Sequence, residues 1–426
     1  MPPIEDHPLR YDLANELHAR PFPSLTVPCS AVFLAVKRTE EAAARDRSAD
    51  MDHLRALLDR HGAPHPQPGA THYFGRIGRY RLKWESHTEF VTYTVFSDTL
   101  SERAFDPAEF EVFPEDWLAA MPGVRMTSVL MRVEPMADEE TVMARVGDWL
   151  VPESLAMSRV LDDAAVVAAD FRIDPAGHQR VAVFVAPGTG ARRVGRVVQR
   201  LCEVETYKTM SMLGFAKVKQ MSPRMGELDT RLADLMDRMT HGDHPADETL
   251  DGLLEISAEL EHTVARTSFR FGATAAYEAI VHQRIAVLRE QRFGGRQTFN
   301  EFMMRRYDPA MRTVKATQRR LDSMADRAMR AGELLRTSVD VTRSAQNQKL
   351  LESMNRRADA QLRLQRTVEG LSVVAISYYG VSLAVYAASP LAKLAGLAKG
   401  ELTALLTLPV VLLVWWMIRR IRARIH

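Results

Sequence analysis

LSVVAISYYGVSLAVYAA at residues 371–388 runs for eighteen positions without a charge, and LTALLTLPVVLLVWWMI at 402–418 for seventeen more. At about 1.5 Å per residue each covers roughly 26 Å of helix, close to the ~30 Å of a bilayer's hydrocarbon. Arg356, Arg357, Arg363 and Arg366 precede the first run, and Arg419, Arg420, Arg422 and Arg424 follow the second. The segment between them carries only Lys393, Lys399 and Glu401. Arginine concentrated outside the pair puts both ends in the cytoplasm and the connecting loop outside. Trp415 and Trp416 stand where an interfacial aromatic belt belongs, and Ser389-Pro390 and Gly400 are expected to break the helices. The competing expectation, two buried helices of a soluble domain, leaves the flanking arginines without a reason. A two-span anchor explains both.

Working back from the first span, no proline lies between Pro309 and Pro390, and the only glycines are Gly332, Gly370 and Gly380. One helix can therefore run from about 309 to 388, with Asp308 as N-cap and Pro309 in its first turn. Its upper seam is Met311, Val314, Gln318, Leu321, Ala325, Ala328, Gly332 and Leu335. Cover must come from a second amphipathic helix and from copies of the chain itself. Lower down, Leu351, Met354, Ala358, Gln361, Gln365, Val368, Ser372, Ala375, Tyr379, Ser382 and Tyr386 share one stripe. Hydroxyls in hydrocarbon are costly unless bonded, so this stripe is expected to face protein or water. It reads either as a helix-packing seam or as the lining of an ion path formed by several first spans. The packing seam is the first expectation, and continuation of the stripe into Gln361 and Gln365 is what speaks for the path. No Asp, Glu or His lies in either span, which argues against a proton relay. The second span has no comparable stripe and is expected to face lipid.

Residues 1–190 read as mixed α/β. Strand-like runs fall at 27–37, 71–83, 89–96, 124–134, 164–173 and 179–186, and helical patterns at about 39–60, 107–120 and 138–149. Asp174-Pro175-Ala176-Gly177 is turn chemistry, so 164–186 is a predicted hairpin, and HGAPHPQPG at 61–69 is irregular. A sheet with helices against it follows. From about 189 the strands stop. Residues 247–293 form one predicted amphipathic helix ended by Gly294-Gly295, and a short helix follows at 298–307. The expected division is an α/β domain at 1–190, a helical region at 191–308, a stalk helix at 309–370, spans at 371–388 and 402–418, and a basic tail at 419–426.

With 46% hydrophobic and 26% charged residues among 426, wholesale disorder is excluded. Lys and Arg number 56 against 54 acidic residues, a balance that makes no case for nucleic acid as partner. Cys29 and Cys202 alone exclude a disulfide framework and a cysteine zinc site. MPPIEDHPLR has neither a basic nor an apolar region of the signal-peptide kind, so no cleaved signal is expected.

Candidate chemistry is sparse. Glu85, His87 and Glu89 lie two apart and would project from one face of a strand, as a divalent-cation cluster or as solvent-facing polar positions. His241, Asp243, His244, Asp247 and Glu248 crowd a loop that suits either loose metal binding or a solvated connection. Glu16 and His18, two apart on a helix, point in different directions and make no dyad. Gly188-Thr189-Gly190 after a strand lacks the third glycine of a dinucleotide fingerprint, since 193 is Arg193, and reads as an ordinary turn. With no nucleophile elbow and no zinc-protease pattern, no enzyme is expected, and a divalent cation is the one candidate cofactor.

HPLRYDLANELHARPFP at 7–23, LKWESHTEFVTYTVF at 82–96, VETYKTMSMLGFAKVK at 204–219 and LQRTVEGLSVVAISYYGVSL at 364–383 resemble an uncharacterised bacterial family of predicted membrane-anchored proteins, a domain of unknown function. The resemblance covers essentially the whole chain and implies membrane attachment. The architecture is also similar to that of CorA-type magnesium transporters, in which a cytoplasmic α/β domain leads through a long helix into two C-terminal spans. That likeness implies a pentamer whose first span lines the pore. The family's Gly-Met-Asn triplet has Tyr379-Gly380-Val381-Ser382 as its nearest counterpart here, with only the glycine matching. The departure falls on the residues that select the hydrated ion. The expectation is thus a homo-oligomer in the bacterial inner membrane, both termini cytoplasmic, whose α/β domain senses or binds a ligand. Its partners are the bilayer and itself. A CorA-like cation conduit is the alternative.

Overall fold

Strand β1 (Cys29–Lys37) is buried along its whole length, and its alternation sorts the two faces of a sheet. Val32, Leu34 and Val36 point to one core, and Ala31, Phe33 and Ala35 to the other. A strand apolar on both sides has to be internal and covered twice. In this computed structural model, which describes residues 4–16, 22–40, 42–241, 246–394 and 398–425, β1 pairs with a strand on either side and helices pack over both faces.

The chain divides into two compact units, Met1–His241 with Asp251–Arg330, and Gly242–Leu250 with Ala331–His426. The first opens with the short helix α1 (Arg10–Glu16) and carries the sheet. The further strands are β2 (His72–Ile77), β3 (Tyr80–Ser86), β4 (Val91–Ser97), β5 (Val124–Pro135), β6 (Ala156–Val160), β7 (Ala165–Ile173), β8 (Gln179–Val185) and β9 (Gln291–Arg292). Their order is β2-β3-β4-β1-β5-β8-β7-β6-β9, with β5–β8 the parallel pair and the other named pairs antiparallel. One face is covered by α2 (Arg47–Arg60), α3 (Glu115–Ala119) and α4 (Glu139–Trp149), which bring Leu54, Leu57, Trp117, Val142 and Val146 to the core. The other is covered by α5 (Ala191–His241) through Val194, Val197, Val198 and Leu201.

Several expectations are corrected. The run at 71–83 is a hairpin, split where Gly78 takes a left-handed φ of +58°. The helix expected at 39–60 begins only at Arg47, capped by the Asp46 carboxylate on the Ser48 N–H at 2.8 Å. That at 107–120 is a 3-10 turn followed by α3, interrupted by Phe113-Pro114. Strand β6 was not expected, because AMSRV is short and its alternation is broken by flanking turns. Strands also do not stop at 189. Helix α6 (Ala246–Ala286) ends before Gly294-Gly295. Arg289 takes a left-handed φ of 50°, and β9 then pairs with β6 at the edge of the sheet.

Beyond the sheet, α5, α6 and the start of α8 (Asp308–Leu394) form a helical bundle, with α7 (Phe299–Arg306) leading into α8. Arg224 and Arg231 of α5 pair with Glu259 and Glu255 of α6 at 2.6 and 2.8 Å. Arg320 and Arg327 of α8 share Asp229 at 2.7 and 2.6 Å. Met311, Val314, Leu321 and Met324 are buried on the seam.

In the second unit α8 is exposed on every side from 340 to 368. It passes through Pro390 without breaking there and ends at Leu394, contrary to the expected stop at Ser389-Pro390. α9 (Lys399–Ile425) runs through Pro409 and packs on α8 through Leu402 and Leu406 against Val381, Val385 and Ala388. Two helices are long and apolar enough to cross a membrane. A Cβ on Gly380 would lie 3.1 Å from Val410 Cγ1, so the glycine sets the closeness of the pair.

Gly195 decides how α5 meets the segment before β1. A Cβ there would stand 1.6 Å from the Pro23 carbonyl oxygen, a backbone atom that cannot move alone. Gly195→Ala is expected to destabilise the first unit by about 1–3 kcal/mol or more, read as a lower thermal midpoint by circular dichroism.

Candidate binding site

The turn between β3 and β4 is fastened from two sides. Arg45, itself buried, reaches the carbonyls of His87 at 2.6 Å and Phe90 at 3.2 Å, and also that of Thr88, while its Nε donates to Asp50 at 2.7 Å. On the opposite side Glu89 is fully buried. Its carboxylate accepts from Arg270 at 3.0 Å and from the Tyr277 hydroxyl at 2.8 Å, and lies 2.9 Å from Lys37 Nζ. Burial alone would raise the Glu89 carboxyl. Hydrogen bonds from Arg270, Lys37 and Tyr277 outweigh it and hold the group at about 2.

This overturns the expected triad. Glu85 is on β3, but His87 and Glu89 lie past the strand's end, and the Glu89 carboxylate is consumed by α6 and β1. Among the described residues no three metal-ligating side chains converge. Nor are Glu85 and its neighbour on the face solvent positions: the Lys83 and Glu85 side chains are 6% and 15% exposed, because α5 crosses above them.

What α5 and the sheet enclose is a cavity of about 440 Å³. Its floor is polar. Lys83 and Glu85 on β3 pair in register with Thr94 and Thr92 on β4, and all four line it. Its roof is Gln199, Cys202, Glu203, Thr206 and Tyr207 of α5, with Arg284 of α6 bound to Glu203. At one wall the His87 ring stacks on Phe90 at 4.3 Å, and Tyr207 meets Phe90 edge-on at 6.0 Å. Lys83 Nζ lies 3.0 Å from Glu85 Oε2 in an ion pair, yet it is buried and makes no hydrogen bond in the described structure. An ammonium with unspent donors inside a polar hollow is costly unless something else accepts from it. Cys202 supplies no nucleophile, since burial drives its thiol far above the ordinary range.

The sequence had singled out Glu85 and His87 but missed Lys83, Glu203, Tyr207 and Arg284. The signal for Lys83 is its alternation with Leu82 and Trp84, which reads as a solvated edge until α5 is laid across it. The other candidates do not assemble. His18, Asp243 and His244 lie outside the described residues, as do the side chains of Glu16 and Asp247. His241 ends α5, its ring 3.2 Å from Asp237. Gly188-Thr189-Gly190 is a strand-to-helix turn whose Thr189 hydroxyl donates to the Ala164 carbonyl at 3.1 Å.

A family model described as a protein of unknown function, DUF3422, matches residues 5–425. The chain belongs to this family. A comparison with curated proteins gives no match. DUF3422 membership accounts for the whole-chain resemblance and carries no activity with it.

On α8 the stripe read from sequence is spread over two environments. Gln361, Gln365, Ala375, Tyr379 and Tyr386 are exposed, and Ser372 and Ser382 are half-buried. The serine hydroxyls donate to the carbonyls four residues back, Val368 at 2.8 Å and Tyr378 at 2.9 Å, so their hydrogen-bonding need is met within the helix. The residues against α9 are others: Ser377, Gly380, Val381 and Val385. Thr403 and Thr407 of α9 join Ser382 and Tyr386 along a groove between the helices, so this part of the second helix faces α8.

Because the Glu89 carboxyl is lowered on folding, its contribution is full above about pH 4.5 and is lost as pH falls towards 2. Glu89→Gln is expected to cost about 3–5 kcal/mol by leaving Lys37 and Arg270 without their anion. It should also flatten the acid-unfolding curve in that window, measured by circular dichroism on the solubilised chain.

Proposed function

We propose that the chain is a membrane-anchored, self-associating protein whose α/β unit binds a small polar ligand in the cavity between the sheet and α5, with no chemistry performed on it. The observation that carries this is Lys83, held under α5 with donors unspent, in a hollow of about 440 Å³ lined by paired charges and three aromatic rings in contact. That size and mixture suit a small molecule. Anchoring is supported by the two apolar helices, and the arginines outside them favour a bacterial inner membrane with both ends cytoplasmic.

Self-association is supported by α8 between 340 and 368. Leu350, Leu351, Met354 and Leu362 are each more than half exposed there. Helices in proteins draw most of their stability from packing an apolar face, this stretch has no such cover within the chain, and Leu351, Met354, Ala358, Gln361, Gln365 and Val368 keep a heptad-like seam. A second reading, the cation conduit, is favoured by the position of Tyr379 and Tyr386, 67% and 71% exposed on α8, where sister helices could meet around a path.

Native mass spectrometry of the full chain released from mild detergent tests these together. The expected result is a discrete oligomer carrying a small-molecule adduct, with Lys83→Met losing the adduct but not the assembly. Bare subunits at every gentle condition overturn the binding function. Leu351→Asp should divide the oligomer into smaller species, and an unchanged mass counts against the seam. Five subunits favour the conduit and two oppose it.

A further inference from the structure

Beside the cavity, the start of α5 and the end of α6 enclose a second hollow of about 470 Å³, lined by Arg193, Arg196, Arg200 and Arg289 together with Leu161 and Val287. Four guanidinium groups line this hollow, and two of them share one carboxylate. Asp162 lies 2.6 Å from Arg289 and 3.6 Å from Arg193. Arg193 also donates to the Leu161 carbonyl, and Arg200 to the Val287 carbonyl at 3.3 Å. These bonds hold the β6–β7 turn and the end of α6, which is the structural use of three of the four. Arg196 is not used in this way, and among the described residues it makes no hydrogen bond or ion pair. Burial, and then the neighbouring charges of Arg196 and Arg284, make the Arg200 guanidinium less basic than usual. No carboxylate lies in the first turn of α5 to offset the excess.

We infer that this arginine-lined hollow is a binding site for a phosphate-class oxyanion. Arginine forks match a tetrahedral or planar oxyanion with paired donors, and Arg193, Arg196 and Arg200 are half-buried, which strengthens the bonds they make. The bound anion satisfies Arg196 and the free donors of Arg200, relieving the repulsion among the four cations. The site stands whether or not the neighbouring cavity takes a ligand. Its phosphate has two natural sources, a soluble phosphorylated molecule or a phospholipid headgroup, and the recognition chemistry is the same for both.

The full chain in zwitterionic detergent is titrated calorimetrically with sodium pyrophosphate, against sodium chloride at matched ionic strength. A parallel titration uses short-chain phosphatidylglycerol below its micelle concentration. Saturable binding is expected in at least one arm, with affinity lowered about tenfold or more in Arg196→Gln. Arg79→Gln, in the β2–β3 turn, should leave it unchanged. A response to pyrophosphate assigns a soluble source, and a response to the lipid alone assigns the headgroup. Arg196 holds no other element of the fold in place, so its loss should leave the thermal midpoint unmoved. Arg200→Gln, which removes the bond to Val287, serves as a second variant and is compared at equal folded fraction. No binding in either arm, or equal weakening by Arg79→Gln, overturns the site.

Discussion

A single buried carboxylate sets where α6 meets the sheet in the first unit. Glu89 sits where the sheet's β3–β4 turn, the end of β1 and the middle of α6 meet, and it is bonded to groups from both partner elements. Lys37 and Arg270 are too deeply placed to be left without an anion, and Glu89 is too deeply placed to be left without cations. Such an arrangement adds little net stability over an apolar core, yet any misplacement of α6 breaks it at high cost. It therefore fixes the position of α6 on the sheet more than it strengthens the fold. Arg45 fixes the same turn from beneath, so His87 and Phe90 enter the cavity wall from a segment with little freedom to move.

That constraint explains how the two faces of one sheet differ. Beneath α2, α3 and α4 the face carries the larger apolar cluster, with Tyr93 edge-on to Trp117 at 5.2 Å, and its buried charges are paired, Glu134 with Arg132 and Arg145 and Asp170 with Arg180. Beneath α5 the apolar cluster runs from β1 towards β6. Around β3 and β4 the same face turns to Lys83, Glu85, Thr92 and Thr94 while remaining covered. Covering charged floor positions with a helix and leaving space above them costs stability, and a fold that does so without occupying the space is rare.

Much of the framework was legible because it depends on local pattern. CSAVFLAVK declares a doubly buried strand, and Asp174-Pro175-Ala176-Gly177 declares its hairpin. The two charge-free runs declare apolar helices whatever surrounds them. What escaped depends on partners far away in the chain. Glu89 meets Arg270 across 181 positions, and no spacing near Glu85 and His87 hints at it. Strand β9 is two residues long and exists only because β6 offers it an edge. The arginine hollow draws on β6–β7, α5 and the end of α6, and only Arg193, Arg196 and Arg200 share a helix. Pro390 misled for a physical reason: proline tends to end a helix, but α8 continues for four residues after it.

Pro409 has the same chemistry in the more apolar of the two membrane-length helices. It brings no amide hydrogen to α9, so the Leu405 carbonyl four residues earlier has no donor in its own ladder. In water that oxygen would be hydrated at once. Leu405, Leu408 and Leu412 surround it, all more than half exposed and none able to donate a side-chain hydrogen. Whatever next approaches that stretch of helix with a proton to share will find an acceptor already waiting.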